Sequence, residues 1–248
     1  MTDVILQTVN LSKSFGAVRV TDNLNLSVRS GEVHALIGPN GAGKTSLIGQ
    51  LSGELQPDAG RIVFRGEDVT QSTIQHRVKR GLARSFQITS ILQDFTALEN
   101  VVIAVQSRIG GPLKLGVRPS TDPELVEPAR KLLERVDLDA RASTLSCNLA
   151  HGEQRQLEIA IALALEPAMV LLDEPMAGMG KQDTRRMTAL LASLKSHITM
   201  LLVEHDMDVV FSLSDRVTVM VYGVAICSDV PDRVQSNAAV LDAYLGRE

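Results

Sequence analysis

Gly38-Pro39-Asn40-Gly41-Ala42-Gly43-Lys44-Thr45 decides the fold. It is a complete G-x-x-x-x-G-K-[ST] pattern, and its flanks supply the strand–loop–helix setting that such a loop needs. Val33-His34-Ala35-Leu36-Ile37 before it is a short apolar run of strand type. Ser46-Leu47-Ile48-Gly49-Gln50-Leu51 after it carries helix-spaced apolar residues and stops at Gly53. Glycines let backbone N–H groups turn inward around phosphates, and the helix N-terminus adds its dipole and unpaired donors. Lys44 can reach the β- and γ-phosphates, and the Thr45 hydroxyl can ligate Mg²⁺. The four fixed positions recur by chance in about one chain in a hundred of this length. A glycine-rich turn before an ordinary helix is therefore a poor account. The pattern implies binding of a nucleoside triphosphate.

A second stretch answers the first. Met169-Val170-Leu171-Leu172-Asp173-Glu174 is four apolar residues ending in two acids. Ligands of a parallel sheet bind at the carboxyl ends of its strands, so both acids can face the phosphate loop. Asp173 suits Mg²⁺, directly or through water. Glu174 is placed to orient or deprotonate an attacking water. Alone, an Asp-Glu pair after a strand is more often a helix cap; the upstream phosphate loop reverses that and favours the catalytic reading.

The rest of the chain supports one large α/β domain with an inserted subdomain. At 248 residues and 44% apolar content there is ample material for a core. Before the loop, strands are predicted over 4–10, 23–28 and 33–37, and after it over 61–64, divided by turn signals at Phe15-Gly16, Ser30-Gly31 and Pro57-Asp58-Ala59-Gly60. Helical spacing dominates 98–109, 123–136 and 153–165, broken by a Gly/Pro-rich loop from Gly110 to Pro119. Alternation then resumes, with strands predicted over 169–172, 198–203 and 216–221 and a helix over 182–196. Such alternation implies a largely parallel sheet with helices on both faces.

Composition narrows the setting. Net charge is −4, and the short basic patch His76-Arg77-Val78-Lys79-Arg80 suits a solvated helix face, so nucleic acid is not an expected partner. Cys147 and Cys227 form no close pair, which suits a reducing cytoplasm. No secretion signal opens the chain, and no apolar stretch approaches the ~20 residues of a membrane span. Any membrane role is expected to come through a partner.

Ordered motifs along nearly the whole chain resemble the ATP-binding-cassette (ABC) ATPase family. The resemblance implies a P-loop NTPase fold with a largely parallel core sheet, an N-terminal antiparallel β-subdomain and an inserted helical subdomain. Residues 1–87 and 166–248 would form the ATP-binding core and 88–165 the helical part. Phe15 sits where the family stacks an aromatic on adenine. Gln87, in Ala83-Arg84-Ser85-Phe86-Gln87, matches the glutamine that contacts Mg²⁺ and the attacking water and senses the transport subunit. Leu149-Ala150-His151-Gly152-Glu153-Gln154 falls at the signature, so Ala150, Gly152 and Glu153 would complete a nucleotide site on a second subunit. His205, in Val203-Glu204-His205-Asp206, matches the switch histidine on the γ-phosphate.

Finer features look like the ATP-binding subunits of branched-chain amino acid importers. They include Leu98-Glu99-Asn100-Val101, Gly152 to Ala160, Asp173-Glu174-Pro175-Met176-Ala177-Gly178 and the ending Ala243-Tyr244-Leu245-Gly246. That resemblance implies a second ATPase subunit, two integral-membrane permeases, and a periplasmic or extracellular solute-binding protein. The chain would sit on the cytoplasmic face of the inner membrane. Two departures stand out. The signature serine is Ala150, followed by His151, and Gly180 replaces the usual Asp or Asn after Glu174. A homodimer would carry the Ala150 change in both sites, so a heterodimer with a paralogous cassette is expected. Two other classes stay open: a soluble cassette ATPase acting on nucleic acid or ribosomes, and a subunit clamped by ATP with little turnover.

Overall fold

The computed structural model describes residues 3–84, 91–110 and 121–245. Gln87 and most of the Gly110 to Pro119 loop lie outside the described residues. The N-terminal elements are β1 (Val4–Phe15), β2 (Val18–Arg29), β3 (Val33–Ile37), α1 (Lys44–Ser52), β4 (Ala59–Phe64), β5 (Glu67–Asp68), α2 (Ile74–Lys79) and β6 (Leu82–Arg84). Three long helices follow: α3 (Ala97–Ile109), α4 (Pro123–Arg135) and α5 (His151–Ala164). The chain returns through β7 (Met169–Asp173), α6 (Lys181–Leu194), β8 (Thr199–Val203), α7 (Met207–Leu213), β9 (Arg216–Val221), β10 (Val224–Asp229), α8 (Pro231–Gln235) and α9 (Ala238–Leu245).

Two sheets result. One is antiparallel, ordered β2-β1-β4-β5; the other is ordered β10-β9-β3-β8-β7-β6 and is parallel except for its β9–β10 edge. β1 and β2 both run longer than predicted. Register shifts carry the pairing past Asn10 and Asn23, which take positive φ of 50° and 46°. Such bulges are set by the partner strand, so periodicity did not reveal them. The predicted turn at Pro57 to Gly60 is also shortened, because Ala59 already pairs with Ser12.

Helix ends follow local chemistry. Thr96 and Glu99 form a reciprocal capping box on α3: Thr96 Oγ1 accepts the Glu99 N–H at 3.2 Å and Glu99 accepts the Thr96 N–H at 2.9 Å. Asp122 caps α4, with Pro123 in its first turn.

Alternation along the parallel strands divides the core. Met169, Leu171, Leu201 and Val203 point to one face, packed with Leu47, Ile48 and Leu51 of α1 and with Leu6, Ile62 and Phe64 of the antiparallel sheet. Val170, Leu172, Met200 and Leu202 point to the other, against Leu157, Ala160 and Ala164 of α5 and Leu191 and Leu194 of α6. The phosphate-loop helix is thus sandwiched between two sheets, while the signature helix packs on the opposite side.

The basic patch is a correction. Arg77 of α2 is not on a solvated face; it is 1% exposed. Its guanidinium donates to the carbonyls of Gln50 (2.6 Å), Leu51 (2.7 Å), Thr70 (2.8 Å) and Ser72 (3.2 Å). Gln50 and Leu51 are in the last turn of α1, whose terminal carbonyls have no helical partner. Burial lowers its pKa to about 10, with Asp68 opposing. Arg77 is a C-terminal cap supplied from elsewhere in the chain, which spacing alone does not disclose.

Candidate nucleotide site

The carboxyl ends of the parallel strands lie level. Leu36 pairs with Val203, Asp173 with Val203, and Arg84 with Leu171. The glycine-rich loop, Asp173 and Glu174, and His205 therefore emerge along one edge of the sheet.

Two glycines of the loop are there for lack of space. A Cβ on Gly38 would stand 2.0 Å from the Met220 carbonyl oxygen, and one on Gly43 would stand 2.0 Å from that of Val20. Their φ values of +154° and +101° are also glycine conformations. The contact at Val20 sets the β1–β2 hairpin against the loop. Phe15 lies at the end of β1, exposed, with Lys13 Nζ 5.7 Å from its ring centroid. Lys44 folds back over the loop and donates to the carbonyls of Gly38 (2.7 Å) and Pro39 (3.1 Å). Burial pulls its pKa below the usual lysine value, while Glu174 and Asp173 push it up. Thr45 is exposed at the start of α1.

Asp173 is 2% exposed at the end of β7. Its Oδ2 accepts from Arg84 at 3.1 Å, and Arg84 also pairs with Glu54. Its Oδ1 is buried with no hydrogen-bond partner among the described residues. Burial raises the Asp173 pKa, Arg84 opposes, and Glu174 adds to the rise. An orphaned carboxylate oxygen at a phosphate loop fits a divalent cation, since Mg²⁺ needs only one or two carboxylates besides substrate phosphates. Among the described residues no trio of His, Cys, Asp and Glu gathers as a self-contained metal cage.

Glu174 takes a positive φ of 50°, rare for a residue with a side chain, and its N–H donates to Val203 at 2.9 Å. Strain of this kind concentrates at functional turns. His205 follows β8, with its side chain 67% exposed. Between Val203 and His205 stands Glu204, buried, which sequence reasoning passed over. Arg84 was missed in the same way. For Glu204, a charged residue directly after an apolar strand was the available signal.

The signature opens α5 on a separate edge. Ala150 is the N-cap, and only half of a capping box forms there. Glu153 accepts the Ala150 N–H at 2.9 Å, while Ala150 has no hydroxyl to return the bond. Glu153 also pairs with Arg141 at 2.9 Å. His151 is exposed, and its ring lies 3.6 Å from where a Cβ on Gly178 would stand. The signature is not joined to the phosphate loop within the chain.

A phosphate loop on a central parallel strand, acids and a histidine on its neighbours, and a remote helix-start signature define a cassette ATPase. Comparison with known proteins gives the same class. The ABC transporter family model matches residues 21–177. The chain belongs to that family and is an ATPase that binds ATP. It is 34% identical over 253 residues to the high-affinity branched-chain amino acid transport ATP-binding protein LivG of Escherichia coli (strain K12), covering 99% of each chain. It is 36% identical over 254 residues to BraF of Pseudomonas aeruginosa, named for the same role, again covering 99% of each. A nucleotide-free ATP-binding cassette from an ABC transporter has a TM-score of 0.86 at 31% identity, covering 97% of this chain and 98% of that one. The ADP conformation of MJ1267, an ATP-binding cassette of an ABC transporter, gives 0.87 at 31%, covering 99% and 100%.

Proposed function

We propose that this chain is the ATP-hydrolysing subunit of an importer of branched-chain amino acids or related small solutes, working through partner permeases. The observation that carries the reading is the end-to-end similarity to LivG and BraF, 99% of each chain. The site chemistry supports it. The loop N–H groups from Gly38 to Thr45 and the Lys44 ammonium bind the phosphates of ATP, and Phe15 stacks on the base. Asp173, the Thr45 hydroxyl and Gln87 would hold Mg²⁺, which when bound would offset phosphate charge. Glu174 orients or deprotonates the attacking water, and His205 contacts the γ-phosphate. Ala150, Gly152 and Glu153 face the nucleotide of a second cassette.

Among the described residues no helix is long and apolar enough to cross a membrane. We infer attachment to permeases on the cytoplasmic side of the membrane, with a solute-binding protein outside. Exposed apolar residues favour a docking face beside α3. Ile91 is buried, while Leu92 and Phe95 are 44% and 42% exposed. Leu145 is exposed on the same strip, where Ser146 N–H donates to Phe95 at 2.9 Å. The missing signature hydroxyl supports a heterodimer with a paralogous cassette. Net charge of −4 offers nothing to nucleic acid.

The test is uptake. Co-expressed with permeases and a binding protein from the same gene neighbourhood, the chain should drive ATP-dependent accumulation of radiolabelled leucine or a related solute. Glu174→Gln should abolish it. Vigorous ATPase activity that never couples to any permease would overturn the importer reading.

A further inference from the structure

β7 and β8 end side by side, Asp173 next to Val203. The chain leaves β7 through Glu174, whose N–H is spent on Val203, and then through Pro175, which has no N–H to give. The next donor is Met176, and it goes to Glu204. Glu204 Oε1 accepts the Met176 N–H at 3.0 Å, and Oε2 accepts the His205 N–H at 3.2 Å. One carboxylate thus ties the turn carrying Glu174 to the turn carrying His205.

Glu204 is 1% exposed, and burial raises its pKa against the pull of both backbone donors. Among the described residues its only ion-pair contact is the His205 ring, with Nδ1 at 3.9 Å. A buried carboxylate without a Lys or Arg partner is a costly way to fill space, and an apolar residue packs there more cheaply. What it supplies instead is position. Reaction geometry is sensitive at this scale, since a displacement of about 1 Å can cost on the order of a hundredfold in rate.

We infer that Glu204 is a positioning residue that holds the Glu174 turn and His205 in the arrangement needed for hydrolysis. The inference rests on Glu174 and His205 as the groups acting on water and γ-phosphate. Glu204→Ala leaves the Met176 and His205 N–H groups without their acceptor and frees both turns. Glu204→Gln keeps one acceptor oxygen but sets its amide against the other N–H, donor to donor.

The experiment measures phosphate release and equilibrium binding of a fluorescent ATP analogue on the full-length chain with its partner cassette. Glu204→Ala should lower kcat about 30- to 100-fold and leave ATP affinity within about threefold. Glu204→Gln should fall between it and the native chain. In a Glu174→Gln background the further loss from Glu204→Ala should be smaller than in the native background, because the part that acts through Glu174 is already gone and only the part through His205 remains. A loss of ATP binding proportional to a lowered Tm, with kcat per bound nucleotide unchanged, would make Glu204 merely structural and overturn the inference. So would native turnover in Glu204→Ala when Glu174→Gln is inactive; native turnover in Glu174→Gln would instead remove the site assignment beneath it. If the alanine variant does not fold, Glu204→Gln decides alone: about fivefold lower kcat at unchanged KM supports the clamp, and native kcat refutes it.

Discussion

Restoring the signature hydroxyl with Ala150→Ser should produce two separable gains. The first needs no nucleotide. Ala150 is the N-cap of α5, and Glu153 already returns one half of a capping box to its N–H. A serine Oγ can accept the Glu153 N–H and close the other half. N-cap substitutions of this kind are worth about 1 kcal/mol, or a rise in Tm of roughly 2–4 °C for a chain of this size. The second gain needs ATP and a facing cassette. The same hydroxyl can donate to the γ-phosphate while accepting from the helix. A hydrogen bond to a charged group is worth about 1.5–3 kcal/mol, which is roughly ten- to a hundredfold in closure around that nucleotide. Scanning calorimetry without nucleotide measures the first term. Steady-state phosphate release, for the chain alone and with its partner cassette, measures the second. The native chain alone should turn over slowly and Ala150→Ser should raise its rate, while the paired complex gains less. A variant with the higher Tm but unchanged turnover would refute the link between the signature and γ-phosphate. Full, partner-independent activity in the native chain would refute the heterodimer.

Other substitutions test separate parts. Glu174→Gln should bind ATP normally and lower turnover by about a hundredfold or more, with an ATP-bound dimer accumulating on size exclusion; near-native turnover would remove Glu174 from the chemistry. Lys44→Ala removes the cation that faces the phosphates and should weaken binding of a fluorescent ATP analogue by at least about tenfold; unchanged affinity would count against the loop assignment. Arg77→Ala strands four carbonyls, two of them in the last turn of α1, and should cost about 3–5 kcal/mol in urea unfolding; a loss below 1 kcal/mol would show that water replaces the cap. Single cysteines at Leu92 and Phe95 should cross-link to a permease in the assembled transporter, and contacts confined to the Gly110 to Pro119 loop would overturn the docking face.

Some of this molecule was legible in the chain because its causes are local. Glycines at 38, 41 and 43, a lysine and a threonine at fixed spacing, and an apolar run ending in Asp173 and Glu174 declare themselves within a few residues. Strand-type runs before each, and helix-type spacing from α3 to α6, were readable for the same reason. The helices α7, α8 and α9 and the strands β5, β6 and β10 were not predicted, being short or weakly periodic pieces stabilised by what they pack against.

The bulges at Asn10 and Asn23, the exposure of Leu92 and Phe95, and the burial of Arg77 depend on partners far along the chain. The site divides along the same line. Lys44, Asp173, Glu174 and His205 follow from motifs, but Arg84 on Asp173 and Glu204 between two turns appear only when strands separated by more than twenty residues end side by side. The sequence by itself determined that the chain binds a nucleoside triphosphate and which side chains can act on it. Only the tertiary structure decided how those side chains are held, because a buried charge acquires its role from the hydrogen-bonding groups that distant segments bring within reach of it.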